Sequence, residues 1–268
     1  MISAEDIKAY AEDGVVCVRG LLDADWVARM IAAIDRVEDN PGPFRERYAP
    51  DEPGMFFSEK FMWTFDADFR ALAFESPAAE VAGALMAATK INLFYDHLMV
   101  KEPGAVAPTP WHQDMNYWPA EGDQICSMWM AFDEVGLDNG GMEFVRASHR
   151  TGQRYQFVDF RGEDASEESE FAPLPDIESD RDAYDIVAWD LQPGDALVFH
   201  GLTLHSARAN ATAEHRRRAL SVRWTGEDMR YIHRRKMIKL IRDPGLSPGD
   251  PLDSDLFPVV WTQSDNAA

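Results

Sequence analysis

The stretch Pro110-Trp111-His112-Gln113-Asp114-Met115-Asn116-Tyr117-Trp118 sets an imidazole and a carboxylate two residues apart, in aromatic and β-compatible surroundings. On an extended strand, residues i and i+2 share a face. His112 and Asp114 can then offer a ring nitrogen and a carboxylate oxygen to one cation, whereas on a helix they would diverge by about 200°. A bare His-x-Asp pair is a weak signal. It gains weight from Phe199-His200-Gly201-Leu202-Thr203-Leu204-His205, which supplies a second histidine, His205. Alone, His205 reads as a satisfied interior histidine; with the pair it completes a set of two imidazoles and one carboxylate. Such a set on one side of an octahedral ion leaves three positions open, the facial arrangement of non-haem Fe(II) oxygenases.

Downstream, Arg216-Arg217-Arg218-Ala219-Leu220-Ser221-Val222-Arg223-Trp224 brings fixed positive charge. A guanidinium grips the distal carboxylate of a dicarboxylate in a bidentate fork, which lysine does less well. Three consecutive arginines cannot all face inward on a strand. If Ala219 and Ser221 line a pocket, alternation turns Arg217 inward and Arg216 and Arg218 outward. If the strand starts differently, Arg216 takes the role. The bland alternative for the whole run is a solvated basic edge.

His112-Gln113-Asp114, then Asn139-Gly140-Gly141 with Ser148-His149-Arg150, then Phe199-His200-Gly201 with His205-Ser206 and Asn210, then Arg217-Arg218-Ala219-Leu220-Ser221 together resemble the phytanoyl-CoA dioxygenase family. The N-terminal Asp13-Gly14-Val15-Val16-Cys17-Val18-Arg19-Gly20-Leu21-Leu22 is similar as well, and the likeness spans residues 3–225. It implies a mainly β protein with flanking helices, a double-stranded β-helix (jelly roll, cupin-like). It implies Fe(II), 2-oxoglutarate as co-substrate and O2, with succinate and CO2 released. Carried over by position, His112, Asp114 and His205 bind iron and Arg217 binds 2-oxoglutarate. Trp129 stands where the family has a tryptophan near the co-substrate, and Ser221 shares the inward face with Arg217. Two departures stand out. His205 and Arg217 are one residue further apart than is usual, which keeps Arg216 open as the anion ligand. Ala207 replaces a common serine, with Ser206 displaced by one. Related halogenases replace the carboxylate with a small residue; Asp114 keeps it, so hydroxylation is the default, with desaturation, epoxidation and ring formation as variants.

The elements that must position these groups follow from patterning. Ser3 and Asp6 form a capping box for a helix to about Glu12, and Val15–Val18 reads as a strand. Asp23 caps a second helix whose Trp26, Val27, Met30, Ile31, Ile34 and Val37 form one apolar face. Residues 40–53 read as a loop. The aromatics Phe56, Phe57, Phe61, Trp63 and Phe65 pack the barrel or roof a pocket, and Ser76-Pro77 opens another helix. From Ile91 onward the texture is β: Ile91–Val100, the His112 stretch, Ile125–Phe132, a hairpin turn at Asp138-Asn139-Gly140-Gly141, Met142–Val145, Ala196–His200 and Ala219–Trp224. Residues 159–185 form an acidic excursion, mostly solvated, either a bland loop or a substrate lid. The tail from Tyr231 to Lys239 is basic with helical potential, Pro244–Pro258 is loop, and the last residues are loose. One domain spans 1–268: a helical part (3–90), a β core (91–225) that the excursion interrupts, and a tail.

With 47 acidic and 26 basic residues the chain carries −21, which disfavours nucleic acid and anionic membranes as partners and points to a small-molecule substrate. The same charge weighs against a coenzyme A thioester, with a local offset available at Arg234 to Lys236. Trp111, Tyr117, Trp118, Phe94 and Tyr95 near the ligands suit a partly apolar molecule. Cys17 and Cys126 are too few for a disulfide framework and read as buried thiols, and a cytoplasmic protein is expected. From the residues alone three other readings stay open: a cupin-like metal-dependent hydrolase or isomerase, a non-catalytic metal-binding β-barrel, and a hydroxylase acting on a protein side chain.

Overall fold

The computed structural model describes residues 2–48, 54–156, 158, 171–234 and 237–263. Helix α1 (Ala4–Asp13) starts at the expected capping box, with Ser3 and Asp6 reciprocally bonded, and ends at Gly14 in the left-handed region. Strand β1 (Val15–Val18) follows, then α2 (Ala24–Asp39), capped by Asp23 and burying Met30, Ala33, Ile34 and Val37. The stretch 40–53 is not all loop. Glu46–Tyr48 forms β2, paired with β3 (Phe56–Lys60), while 49–53 lie outside the described residues. Strand pairing of this kind is a tertiary event that Pro and Gly content hides. The aromatic run also contains a helix that patterning missed, α3 (Ala67–Glu75), whose first amides are held by Asp66. Helix α4 (Ala78–Met86) begins after Ser76-Pro77 as expected.

The β core comprises β4 (Lys90–Lys101), β5 (Thr109–His112), β6 (Ala120–Glu121), β7 (Ile125–Ala131), β8 (Met142–Val145), β9 (Ile186–Ala188), β10 (Ala196–His200), β11 (His205–Ala207), β12 (Arg217–Thr225), β13 (Arg230–Tyr231) and β14 (Val259–Thr262). A large antiparallel sheet runs β1-β10-β7-β12-β4-β3-β2, with β14 added to β4, and a small one runs β5-β11-β8-β9. This mainly β, jelly-roll architecture is the expected fold. Apolar side chains of both sheets meet between them: Trp129, Leu197 and Phe199 from the large sheet against Met142 and Phe144 from the small one. On its other face the large sheet packs Phe94, Leu98, Met128 and Val222 against Met30, Ile34, Leu72 and Ala82 of the helices. Burying one face on helices and the other on a second sheet leaves few polar positions inside, and these are informative.

Several local expectations change. The Asp138–Gly141 turn is not a hairpin, because β7 and β8 belong to different sheets; it is the corner that carries the chain between them. Its Gly140 has φ +98°, and a Cβ there would lie 3.2 Å from both Arg217 and Lys101. In the excursion, 159–170 lie outside the described residues. The described remainder is mostly solvated, as expected, but anchored at one point: Ile177 is buried with Trp111, Val145 and Leu204, and Glu178 accepts from Trp111 Nε1 at 2.7 Å. The described part of 231–239 is not helical, since Tyr231 pairs into β13 and the Ile238 amide donates to the Tyr117 carbonyl at 2.7 Å. Thr262 still pairs with β4, and the last residues, 264–268, lie outside the described residues. Cys126 is buried, Cys17 is partly exposed, and both are free. Among the described residues no helix is long and apolar enough to cross a membrane.

Candidate active site

His112 is the last residue of β5 and His205 the first of β11, and the two are direct cross-strand partners. Opposed residues on antiparallel strands bring their Cβ atoms to about 5 Å, and the two imidazole centroids lie 4.1 Å apart. Asp114 stands outside the strand, at the start of a short 3-10 turn through Tyr117. The same-face relation to His112 survives because Gln113 between them is extended (φ −116°, ψ 133°). The Gln113 side chain locks that step. Its amide donates to the Leu202 and Gln153 carbonyls, and its oxygen accepts from Asn116 and from the Tyr155 amide.

The donor atoms of His112, Asp114 and His205 all lie within 4.8 Å of one another, and all three residues are buried. His112 Nε2 is 3.5 Å and His205 Nε2 is 3.8 Å from Asp114 Oδ1. Each imidazole is oriented from its own strand, His112 Nδ1–H donating to the Pro110 carbonyl at 2.8 Å and His205 Nδ1–H to Thr203 at 2.9 Å. A carbonyl partner requires the proton on Nδ1, which turns both Nε2 lone pairs toward the aspartate. Burial, with His112 alongside, pushes His205 down to about 3, so its ring is neutral at pH 7. Burial would raise Asp114, but the Arg223 charge, with the two imidazoles facing the carboxylate, holds it well below the usual carboxylate range. Two imidazoles and one ionised carboxylate, each presenting a donor atom to the same point, form a set that suits a first-row divalent ion such as Fe(II).

These groups line one side of a cavity of about 380 Å³ between the sheets. Alternation along β12 brings Arg217, Ser221 and Arg223 into it; β7 adds Trp129, and β4 adds Tyr95, His97 and Met99. Of the three consecutive arginines, Arg216 turns outward to Glu38 and Glu102, and Arg218 to Asp133 and Asp35. Arg217 is 1% exposed, donates to the Met99 carbonyl at 3.0 Å, and sits 5.4 Å over the Trp129 ring. No carboxylate pairs with it among the described residues, and burial lowers it to about 9, which leaves it charged at neutral pH. Ser221 Oγ and the Nε of Arg217 and of Arg223 are buried without a partner, so this wall presents unused donors. Lys101 sits beside Arg217, donating to the Arg208 carbonyl, and burial drives it well below the usual lysine range.

Patterning missed several residues of the site. Arg223, which lines the cavity, and Ser127, buried behind Asp114, share the inward period of two with Ser221 and Trp129, so extending that alternation by one step finds both. Glu46, Tyr48, Ser58 and Lys60 form a polar wall on β2 and β3, with Lys60 Nζ 3.2 Å from Glu46 and Tyr48 O–H donating to Glu46 at 2.8 Å. Nothing local marked it, because β2 lay in a stretch that reads as loop. Among the expected aromatics, Tyr95, Tyr117 and Trp118 line the cavity, while Trp111 faces the excursion and Phe94 the helix-side core.

With this geometry in hand, comparison with known proteins is informative. The family model described as phytanoyl-CoA dioxygenase (PhyH) matches residues 10–219. The peroxisomal phytanoyl-CoA dioxygenase of Rattus norvegicus is 23% identical over 250 residues, covering 87% of this chain and 71% of that protein. Among solved structures, the non-haem α-ketoglutarate-dependent carbocyclase SnoK of nogalamycin biosynthesis superposes with a TM-score of 0.77 at 26% identity, covering 97% of each chain. The epimerase SnoN, in complex with Fe3+, α-ketoglutarate and nogalamycin RO, gives 0.76 at 25%, covering 96% of this chain and 98% of that one.

Proposed function

We propose, from the premise that the chain belongs to the phytanoyl-CoA dioxygenase family and is a 2-oxoglutarate-dependent non-haem iron oxygenase, that His112, Asp114 and His205 hold the iron, Arg217 the far carboxylate of 2-oxoglutarate, and the rest of the cavity a small, partly apolar substrate. One observation carries this reading: three converging metal donors share a cavity with a buried guanidinium that no carboxylate among the described residues pairs. Bound Fe(II), with 2-oxoglutarate and O2, supplies the oxidising chemistry and releases succinate and CO2. The chain's own part is positioning. The Pro110 and Thr203 carbonyls fix the imidazoles, and Trp129 supports the Arg217 fork face-on. Ser221, with its unused hydroxyl, is a second donor for the co-substrate carboxylate. Arg216, tied to Glu38 and Glu102, is the weaker candidate for this role. Tyr117, Trp118, Phe199 and Met99 keep the reacting region dry.

For the substrate, apolar walls at Phe44, Tyr117, Met237 and Ile238 run toward the polar set Glu46, Tyr48, Ser58 and Lys60. This suits an apolar skeleton bearing hydroxyl or keto groups, and the SnoN complex with Fe3+, α-ketoglutarate and nogalamycin RO is a precedent for a small-molecule ligand in this fold. A phosphate-rich thioester fits less well, since Lys60 is paired with Glu46 and Arg234 with Glu121. The test is anaerobic addition of Fe(II) and 2-oxoglutarate, followed by O2 and a panel of hydroxylated polycyclic ketones and acyl thioesters. Succinate formed in step with oxidation of a polycyclic member supports the reading. Turnover confined to the thioesters overturns the substrate class, and turnover with Zn(II) and no 2-oxoglutarate overturns the reaction class in favour of a metal-dependent hydrolase or isomerase.

A further inference from the structure

The two oxygens of Asp114 face different neighbours. Oδ1 points to the imidazoles, 3.5 Å from His112 Nε2 and 3.8 Å from His205 Nε2. Oδ2 accepts a 2.6 Å hydrogen bond from Ser127 Oγ and lies 3.5 Å from an Arg223 terminal nitrogen. Ser127 is fully buried in the centre of β7, and its single hydroxyl proton is committed to this bond. Arg223 is held in turn: one terminal nitrogen donates to the Ser221 carbonyl at 3.1 Å, and the guanidinium lies 4.8 Å over the Tyr95 ring. Tyr95 itself accepts from Trp118 Nε1 at 2.9 Å. Neither partner of Oδ2 is free to swing away.

We infer that Ser127 and Arg223 are positioning residues that keep Asp114 Oδ2 out of coordination, making the carboxylate a one-oxygen ligand. The inference rests on the ligand assignment proposed above. Its consequence is a count of positions on an octahedral ion. A carboxylate bound through both oxygens, with two imidazoles, fills four of six; the keto acid end of 2-oxoglutarate takes the other two and leaves none for O2. Bound through one oxygen, it leaves three, two for the keto acid and one for O2. Ser127 and Arg223 come from neighbouring strands of the large sheet, whereas the imidazoles come from the small one. Closure of the two sheets therefore fixes how many positions the ion keeps open.

The test uses Co(II) as a probe of the full-length protein, titrated by its visible absorption, followed by 2-oxoglutarate at saturating Co(II). Wild type should bind one Co(II) and respond to 2-oxoglutarate; no such response overturns the ligand assignment itself. In Ser127→Ala, Co(II) affinity should hold within about threefold while 2-oxoglutarate binding weakens by about tenfold or more, the range outer partners of metal ligands command. Arg223→Lys keeps the charge but shortens the fork, and should move 2-oxoglutarate affinity in the same direction by a smaller factor. It also serves if the first variant does not fold. Unchanged 2-oxoglutarate affinity in both variants overturns the inference. So does an equal loss of Co(II) and 2-oxoglutarate affinity, which would mean that the hydroxyl only supports the strand.

Discussion

The two sheets contribute to one cavity by different means. On the small sheet both imidazoles are set locally, each held by the carbonyl two residues before it in its own chain segment, Pro110 for His112 and Thr203 for His205. On the large sheet alternation turns Arg217 inward and Arg216 and Arg218 outward, but what each arginine meets is not set locally. The partners are distant in sequence: Glu38 and Glu102 take the first, Asp133 and Asp35 the third, and the middle one is left over the Trp129 face. Imidazoles fixed by their own backbone need little from the rest of the fold. A buried unpaired cation needs all of it, because burial penalises the charge and only the cavity's eventual anion offsets that cost.

The sharpest way to break the contrast is on the small sheet. His205→Ala should lower turnover by more than about a hundredfold, since losing a ligand exceeds the 10–100-fold effects of outer partners. Succinate formation and Co(II) titration measure this, and the melting temperature should move by only a few degrees. If turnover persists with Co(II) binding intact, the cross-strand pair is structural. On the large sheet, Arg217→Gln should raise KM for 2-oxoglutarate by about ten- to a hundredfold, the equivalent of one charge-assisted pair. Arg216→Gln should leave KM alone and cost stability by about 1 kcal/mol or less, because its partners are partly exposed. A reversal of these two outcomes in steady-state kinetics would hand the anion role to Arg216.

The helix-side face of the large sheet offers a smaller test. Asp96, between the cavity residues Tyr95 and His97 on β4, accepts from the Trp63 amide at 2.8 Å while its other oxygen has no partner, and burial raises it to about 7. A carboxyl raised above its unfolded value near 3.8 contributes stability that is complete below pH 4 and is lost as pH climbs through about 7. Asp96→Asn should remove that decline, so the wild-type-minus-variant difference in denaturant-unfolding free energy should fall by about 1–3 kcal/mol between pH 4 and 8. A flat difference would place the Asp96 carboxyl in contact with water. A similarly modest effect is expected at the corner between the sheets. Gly140→Ala puts a Cβ against Arg217 at φ +98° and should cost about 1–2 kcal/mol, with a severalfold rise in KM for 2-oxoglutarate. No change in either would mean that the corner does not support the guanidinium.

What was legible in the chain alone follows the same division. The capping box of α1, the Asp23 cap and apolar stripe of α2, the strands at 91–100, 125–132 and 196–200, and the His-x-Asp pair with a distant histidine are short-range patterns, and short-range patterns survive in one dimension. The hidden features were those in which one residue type has two available fates. The Asn-Gly-Gly turn reads as a hairpin whether its flanking strands pair or part. Glu46 to Tyr48 reads as loop until β3 lies beside it, and Ser127 is an ordinary strand serine until Asp114 turns toward it. Sequence by itself determined the metal-ligand types and their faces, because backbone alternation and i−2 carbonyls act within a few residues. Tertiary structure alone decided which acids take up Arg216 and Arg218 and which oxygen of Asp114 stays free, because both depend on charges and hydroxyls that meet only when the chain has folded.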